Sequence, residues 1–220
     1  MNKEWSELNK KMQMLLRKKD TFKDGISVCL ELRNTLSDAV EKLCDKLSDE
    51  QYSLMPYPNA NGYHCKTIAY SIWHTARIED ITAHTLICGD EQVLFRGDYL
   101  KATCSPIITT GNELVRDEIT SFSQSLNISE LLRYAADVKA STDELLSRLS
   151  FEDSKRRFII DDKERVIASK SVSEDKNAVW LIDYWCGKDI TGIIKMPFTR
   201  HLIMHLSLIH ISEPTRRSYI

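Results

Sequence analysis

Apolar residues recur at intervals of three and four through most of the chain. The first such stripe, Trp5, Leu8, Met12, Leu15 and Leu16, runs between lysines, the spacing of a helix with one buried face. Thr21 and Asp24 mark a break. From Gly25 to Leu47, Cys29, Leu32, Leu36, Val40, Leu43 and Leu47 repeat the interval and predict a long helix carrying a bundle seam. The stretch "QYSLMPYPNANGYHCK" combines two prolines with Asn-Ala-Asn-Gly, which predicts a loop. Lys66 to Leu86 contains neither Gly nor Pro and places Ile68, Ala69, Ile72, Trp73, Ala76 and Ile81 on a third helix, with Gly89 as its stop.

A region containing Gly and Pro follows to Gly111, then a short helix around Glu113 to Ser125. Asn127, three residues before Glu130, caps a longer helix whose stripe is Leu131, Ala135, Val138, Leu145 and Leu149. Residues 151–173 are charged and irregular, with "RVIASKSV" as a short strand or loop. "NAVWLIDYWC" is apolar nearly all round and predicts a deeply packed helix ending at Gly187. Pro197 suits the first turn of a last helix running through His205, where its missing N–H costs nothing. The pattern predicts an all-α fold, an up-down four-helix bundle with additional short helices and loops, as one domain over residues 1–206.

Composition narrows the partners. Thirty basic and 32 acidic residues leave a net charge of −2, so no overall field draws the chain to nucleic acid or to anionic lipid. The N-terminus has no apolar signal region, and no stretch reaches the 18 uncharged apolar residues of a membrane span. A cytoplasmic protein is expected. The six cysteines are scattered without a C-x-x-C pair and are expected as reduced core residues.

His201 and His205 form an H-x-x-x-H pair, about 40° apart on one helical face, which suits a two-ligand metal clamp and also occurs by chance on solvated faces. Leu202 stands where an H-E-x-x-H zinc peptidase carries its general base, so that chemistry is disfavoured. A third ligand must come from elsewhere. His64 lies in the loop, and His74 and His84 are too far apart on their helix to share a site. His74 follows Trp73 in an apolar stretch and needs a partner or a metal. His84, nearer the helix end, is expected to be exposed.

Thr67, Tyr70, Ser71 and Ile81 share roughly the face of His74 and are expected to wall a pocket. Tyr70 is either a polar contact to substrate or an ordinary core tyrosine. Asp183, inside an apolar run, needs pairing: it orients a ligand imidazole or forms an ion pair with Arg77 or Arg200. Glu79 and Asp80 point away from His74 and read as a solvated or inter-helix charge pair.

The runs "KTIAYSIWHTARIEDI" and "NAVWLIDYWCGKDITGIIKMPFTRHLIMH" resemble the DinB-like (damage-inducible protein) superfamily of four-helix bundles, in particular a clostridial-type branch. The likeness extends from the N-terminus to His205. It implies a bacterial protein in which His74, His201 and His205 hold one divalent metal ion, zinc or nickel, with positions left for water. It also implies a small-molecule substrate, among them low-molecular-weight thiols, a homodimer, and thiol-transferase or hydrolase chemistry. The alternative is a non-catalytic metal-binding bundle serving stress response or dimerisation.

His210 lies about 180° round a continuous helix from His201 and is excluded from the clamp. The segment "LSLIHISEPTRRSYI" resembles a translated sequencing-adapter run. Residues 207–220 are therefore expected to be an artefactual tail, with Glu213-Pro214 stopping any helix that enters it.

Overall fold

The computed structural model describes residues 2–55 and 66–212, with side chains to residue 207. His64, Cys65, the side chain of His210 and the Glu213-Pro214 stop lie outside the described residues. The fold is all-α; among the described residues the only β feature is an isolated antiparallel bridge between Arg157 and Asp189.

Helix α1 (Lys3–Leu15) opens on Asn2, whose side chain accepts the Glu4 N–H, and packs on α2 (Phe22–Cys44), to which a one-turn 3-10 corner connects it. The pattern's apolar stripes are the ones buried: Trp5 and Met12 on α1, and Cys29, Leu32, Leu36 and Leu43 on α2. Helix α3 (Asp49–Ser53) is a single capped turn. Helix α4 (Ile68–Asp80) starts at Thr67, whose hydroxyl accepts the Tyr70 N–H, and every one of its residues is buried.

It runs on as a π-helical segment, Ile81–Cys88, to Gly89. Gly89 adopts the left-handed conformation expected of a helix stop. Its N–H and that of Asp90 both donate to the His84 carbonyl, so the turn folds Asp90 back over the last helical turn.

Two short helices, α5 (Val93–Arg96) and α6 (Tyr99–Ala102), precede α7 (Asp117–Ser125). Helix α8 (Ile128–Arg148) opens as predicted on Asn127, which accepts the Glu130 N–H. It packs along α4, burying Leu131, Tyr134 and Val138 against Trp73 and Phe122.

The segment expected to be irregular is helical. It forms α9 (Phe151–Ser154) and α10 (Ile160–Ala168), so "RVIASKSV" is not a strand. Asp162 accepts the Ile159 N–H and pairs with Arg156 and Arg165, which gives α10 a fixed start, and Val166 anchors it in the core.

Helix α11 (Trp180–Cys186) is not deeply packed on all sides. Leu181, Ile182 and Trp185 face inward, whereas Trp180 and Tyr184 stack edge-to-face on the outside, half-exposed. Aromatic bulk covers the surface there, and apolar count alone overstated its burial.

The last helix starts earlier than Pro197. Helix α12 (Ile190–Lys195) is capped by Asp189, which accepts the Gly192 N–H. Pro197 has no N–H to continue the ladder, and the chain widens into a π turn, Met196–Arg200, before α13 (His201–Ser212). The His201 N–H reaches back five residues to Met196, and the Thr199 hydroxyl donates to the Ile194 carbonyl.

A π turn holds about one residue more than an α turn and so rotates everything after it by roughly a quarter turn. Ile190, Ile193 and Ile194 belong to the core around Phe22 and Trp185, while Ile203 and Leu206 face Trp5, Leu32 and Leu36. Helix α13 packs on both α2 and α4, and α8 closes the other side of both. No helix among the described residues is long and apolar enough to cross a membrane.

Candidate metal centre

Three histidines converge where α13 crosses α4. His74 comes from the middle of α4, and His201 and His205 from the first two turns of α13. One ring nitrogen from each lies within 4.8 Å of the others, an arrangement that could hold a metal ion. Ring centroids are 4.9 and 5.0 Å from His74 to His205 and His201, and 4.6 Å between the last two. The α4 histidine and the H-x-x-x-H pair chosen from the sequence are thus brought together.

The site's orientation comes from a segment the sequence reading passed over. Residues 108–111 form a strap whose four successive carbonyls each accept from α4. Ile108 takes Arg77 Nε and Nη2, Thr109 takes Trp73 Nε1, Thr110 takes His74 Nδ1 at 2.8 Å, and Gly111 takes the Tyr70 hydroxyl. A carbonyl can only accept, so neutral His74 carries its proton on Nδ1 and presents Nε2 as a lone pair. Gly111 has positive φ, and a Cβ there would stand 3.1 Å from the Tyr70 ring, so glycine is what lets the strap approach. That Gly, with Ser105-Pro106 before it, was the available sequence signal.

Burial keeps all three imidazoles neutral. It pushes His74 down to about 4 against the opposing Thr110 carbonyl, with the Lys66 charge adding to the lowering. His201 and His205 are held well below the usual histidine range, first by burial and then by their fellow histidines. His201 Nδ1 is buried with no hydrogen-bond partner among the described residues, an arrangement that costs about 1–3 kcal/mol for a polar atom with no other purpose. Neutral nitrogens with lone pairs and no competing donors are what a divalent transition metal requires.

Tyr70 is buried and stacks on His74, with ring planes 10° apart and centroids 5.5 Å apart, and the strap holds its hydroxyl. It supports the ligand ring. Thr67 shares a hydrogen bond with Ser123, and Ile81 sits in the Phe22 and Trp185 core. Of the four residues assigned to a pocket wall, only Ser71 lines the adjoining cleft.

Asp183 is not at the site. Its side chain is 76% exposed and pairs with Lys163, not with Arg77 or Arg200, because α11 turns that position outward. The Asp183 carboxylate is therefore neither buried nor placed to orient an imidazole, contrary to what its apolar sequence neighbours suggest.

His84 is not exposed either. Its Nδ1 bonds to Asp90 at 2.7 Å and its Nε2 to Ser141 at 2.9 Å, so both nitrogens are committed away from metal. Ser141 lies inside α8, where helical hydrogen bonding takes up the amides an acyl-transfer oxyanion would need. His84 therefore reads as a tie between α4 and α8.

Glu79 and Asp80 are buried, not solvated. Glu79 receives both Nη atoms of buried Arg33 from α2, an inter-helix pair as one of the two readings had it. Asp80 accepts from Arg77, the Tyr134 hydroxyl and the amides of Val93 and Leu94.

Among the five described cysteines only Cys29 is buried, Cys88 and Cys104 are exposed, and all five are free. Burial pushes the Cys29 thiol up to about 12. That disfavours a thiolate there.

The cluster adjoins a cleft of about 400 Å³ between α2, α4, α8 and α13, within the range of small-molecule sites. His205 is the cluster residue that faces it; Ser71, Thr75 and Glu79 form its α4 wall, and Leu36 and Val40 its α2 wall. No protein-family model matches the chain, and no curated protein matches it.

Proposed function

We propose that His74, His201 and His205 hold one divalent metal ion, zinc or nickel, and that the chain is a metal-dependent transferase or hydrolase acting on a small molecule in the adjoining cleft. The DinB-like resemblance of the W-H-x-x-R-I-E-D and P-F-x-R-H-x-x-x-H runs supports the same reading. The observation that carries it is the convergence of three neutral imidazoles from two helices beside a cleft of substrate size.

A divalent ion held by His74, His201 and His205 would supply Lewis-acid chemistry, lowering the pKa of a water or thiol toward neutrality. The chain's own residues set the stage. The strap carbonyl of Thr110 fixes the His74 tautomer, and Tyr70 fixes its ring plane. Leu36 and Leu206, both buried, give the cleft an apolar wall on the same side as His205.

The test is metal content of purified variants by elemental analysis. One ion per chain is expected for the parent protein and for His84→Gln. His74→Ala, His201→Ala and His205→Ala should each lose it. Full occupancy in His74→Ala would sink the reading.

A further inference from the structure

The buried cation on the cleft wall, Arg33, is fully committed, and the two others are paired with acids. Arg33 uses all five N–H groups: Nε on Asp143, Nη1 on Glu79 and the Phe198 carbonyl, and Nη2 on Glu79 and the Lys139 carbonyl. Lys139 is held by Asn34 and Asp143. Arg133 bonds through Nη1 to Glu130, and Glu41 and Asp45 line the same cleft. The Ser71 hydroxyl donates to the Thr67 carbonyl, and that of Thr75 to the Ser71 carbonyl, so both offer only lone pairs inward. Most of the remaining wall is aliphatic, supplied among others by Leu36, Val40, Ile72, Ala76, Ala135 and Leu202, with Ser37 and Cys44 as its polar exceptions.

We infer that the cleft binds an uncharged, apolar-bodied small molecule whose metal-binding head enters past His205, and that it rejects anionic hydrophilic thiols. Burying a carboxylate against a mostly aliphatic wall whose one buried cation is already neutralised by Glu79 and Asp143 is costly, and the lining adds Glu41 and Asp45 as like charges. An aliphatic body gains instead from the wall. Each buried CH₂ contributes about 0.8 kcal/mol, or roughly fourfold in affinity. The inference rests on the three-histidine metal reading, since that ion receives the head group.

The experiment titrates the zinc-loaded protein with aceto-, butano-, hexano- and octanohydroxamate by calorimetry, and with a hexanohydroxamate bearing an ω-carboxylate. Affinity should rise about fourfold per methylene until the cleft is full, and the ω-carboxylate should cost at least about tenfold. Ala135→Phe on the α8 wall should flatten the chain-length series while zinc content stays at one ion per chain. Val40→Phe serves as the second variant should the first fail to fold.

A flat series in zinc-loaded parent protein, or equal binding of the ω-carboxylate, overturns the inference and leaves the metal reading standing. If no zinc is retained, the metal reading fails, and the cleft is tested in metal-free protein with N-phenyl-1-naphthylamine. Fluorescence enhancement abolished by Ala135→Phe keeps the apolar site, and no enhancement removes it.

Discussion

Two buried polar clusters share α4 and differ in how their atoms are satisfied. Arg77 and Asp80 face a closed set of partners: the Ile108 carbonyl, Gln92, the Tyr134 hydroxyl and two amides of α5. One turn earlier, His74 meets His201 and His205, and His201 Nδ1 has no hydrogen-bond partner among the described residues. A closed network explains itself as structure, because each desolvated group recovers its bonds. His201 Nδ1 recovers no such bond among the described residues, and the three clustered imidazoles could hold a metal ion. A closed network that stabilises the chain thus stands one turn from a cluster that could hold a metal ion.

Breaking the closed cluster should have the larger effect. Asp80→Ala leaves a fully buried guanidinium with one charge partner gone, and a loss of about 3–5 kcal/mol is expected in urea unfolding, with or without metal. A loss below about 1 kcal/mol would mean that the network is not the closed unit described.

Acid comes next. A histidine titrates near 6.5 when unfolded, and burial holds His74 at about 4 in the fold. The unfolded chain therefore binds protons first as pH falls. The fold's stability is complete above about pH 6.5 and is lost as pH drops toward 4, by about 3 kcal/mol for His74 alone. His201 and His205 act in the same direction. Chemical denaturation of metal-free protein at pH 7 and pH 4.5 checks this, and His74→Gln should reduce the difference.

Much of this was legible in the chain itself. The helical stripes of α1, α2, α4 and α8 follow from apolar spacing, and the Asn127 cap and the Gly89 stop from residue type. His201 and His205 announced themselves by their interval, and His74 by its motif. What stayed hidden is mostly backbone. The strap at residues 108–111 acts through carbonyls that every residue possesses, so apart from Gly111 and the Ser105-Pro106 turn nothing in the side-chain pattern marks it. The π turn follows from Pro197 only once a helix is known to continue on both sides of it. His84 looked exposed because the Gly89 turn that returns Asp90 to it is a matter of backbone conformation.

A smaller effect separates the clusters from the other side. His201→Ala removes a nitrogen with no protein partner, so metal affinity should fall on the order of 100-fold, at least what losing an outer-shell partner costs. The metal-free protein should change in stability by no more than about 1 kcal/mol. Competition with a chromogenic chelator gives the first number and urea unfolding the second. A large destabilisation without metal would class His201 with Asp80, as structure.

The smallest effect concerns Asp183, whose surrounding sequence is among the most apolar in the chain. Its carboxylate stands in solvent against Lys163 on α10, where screening and side-chain entropy offset most of the attraction between two mobile charges. Asp183→Asn should therefore leave metal content, hydroxamate affinity and melting temperature unchanged. Any loss of metal in this variant would require a path from α11 to the histidines, and the packing offers none by direct contact: the inward side chains of α11 join the core of Phe22 and Trp185, whereas the residues around His205 belong to the core of Trp5 and Leu36. An unchanged variant confirms that apolar surroundings in sequence did not place this acid inside, and that burial must be read from which face a short helix turns outward.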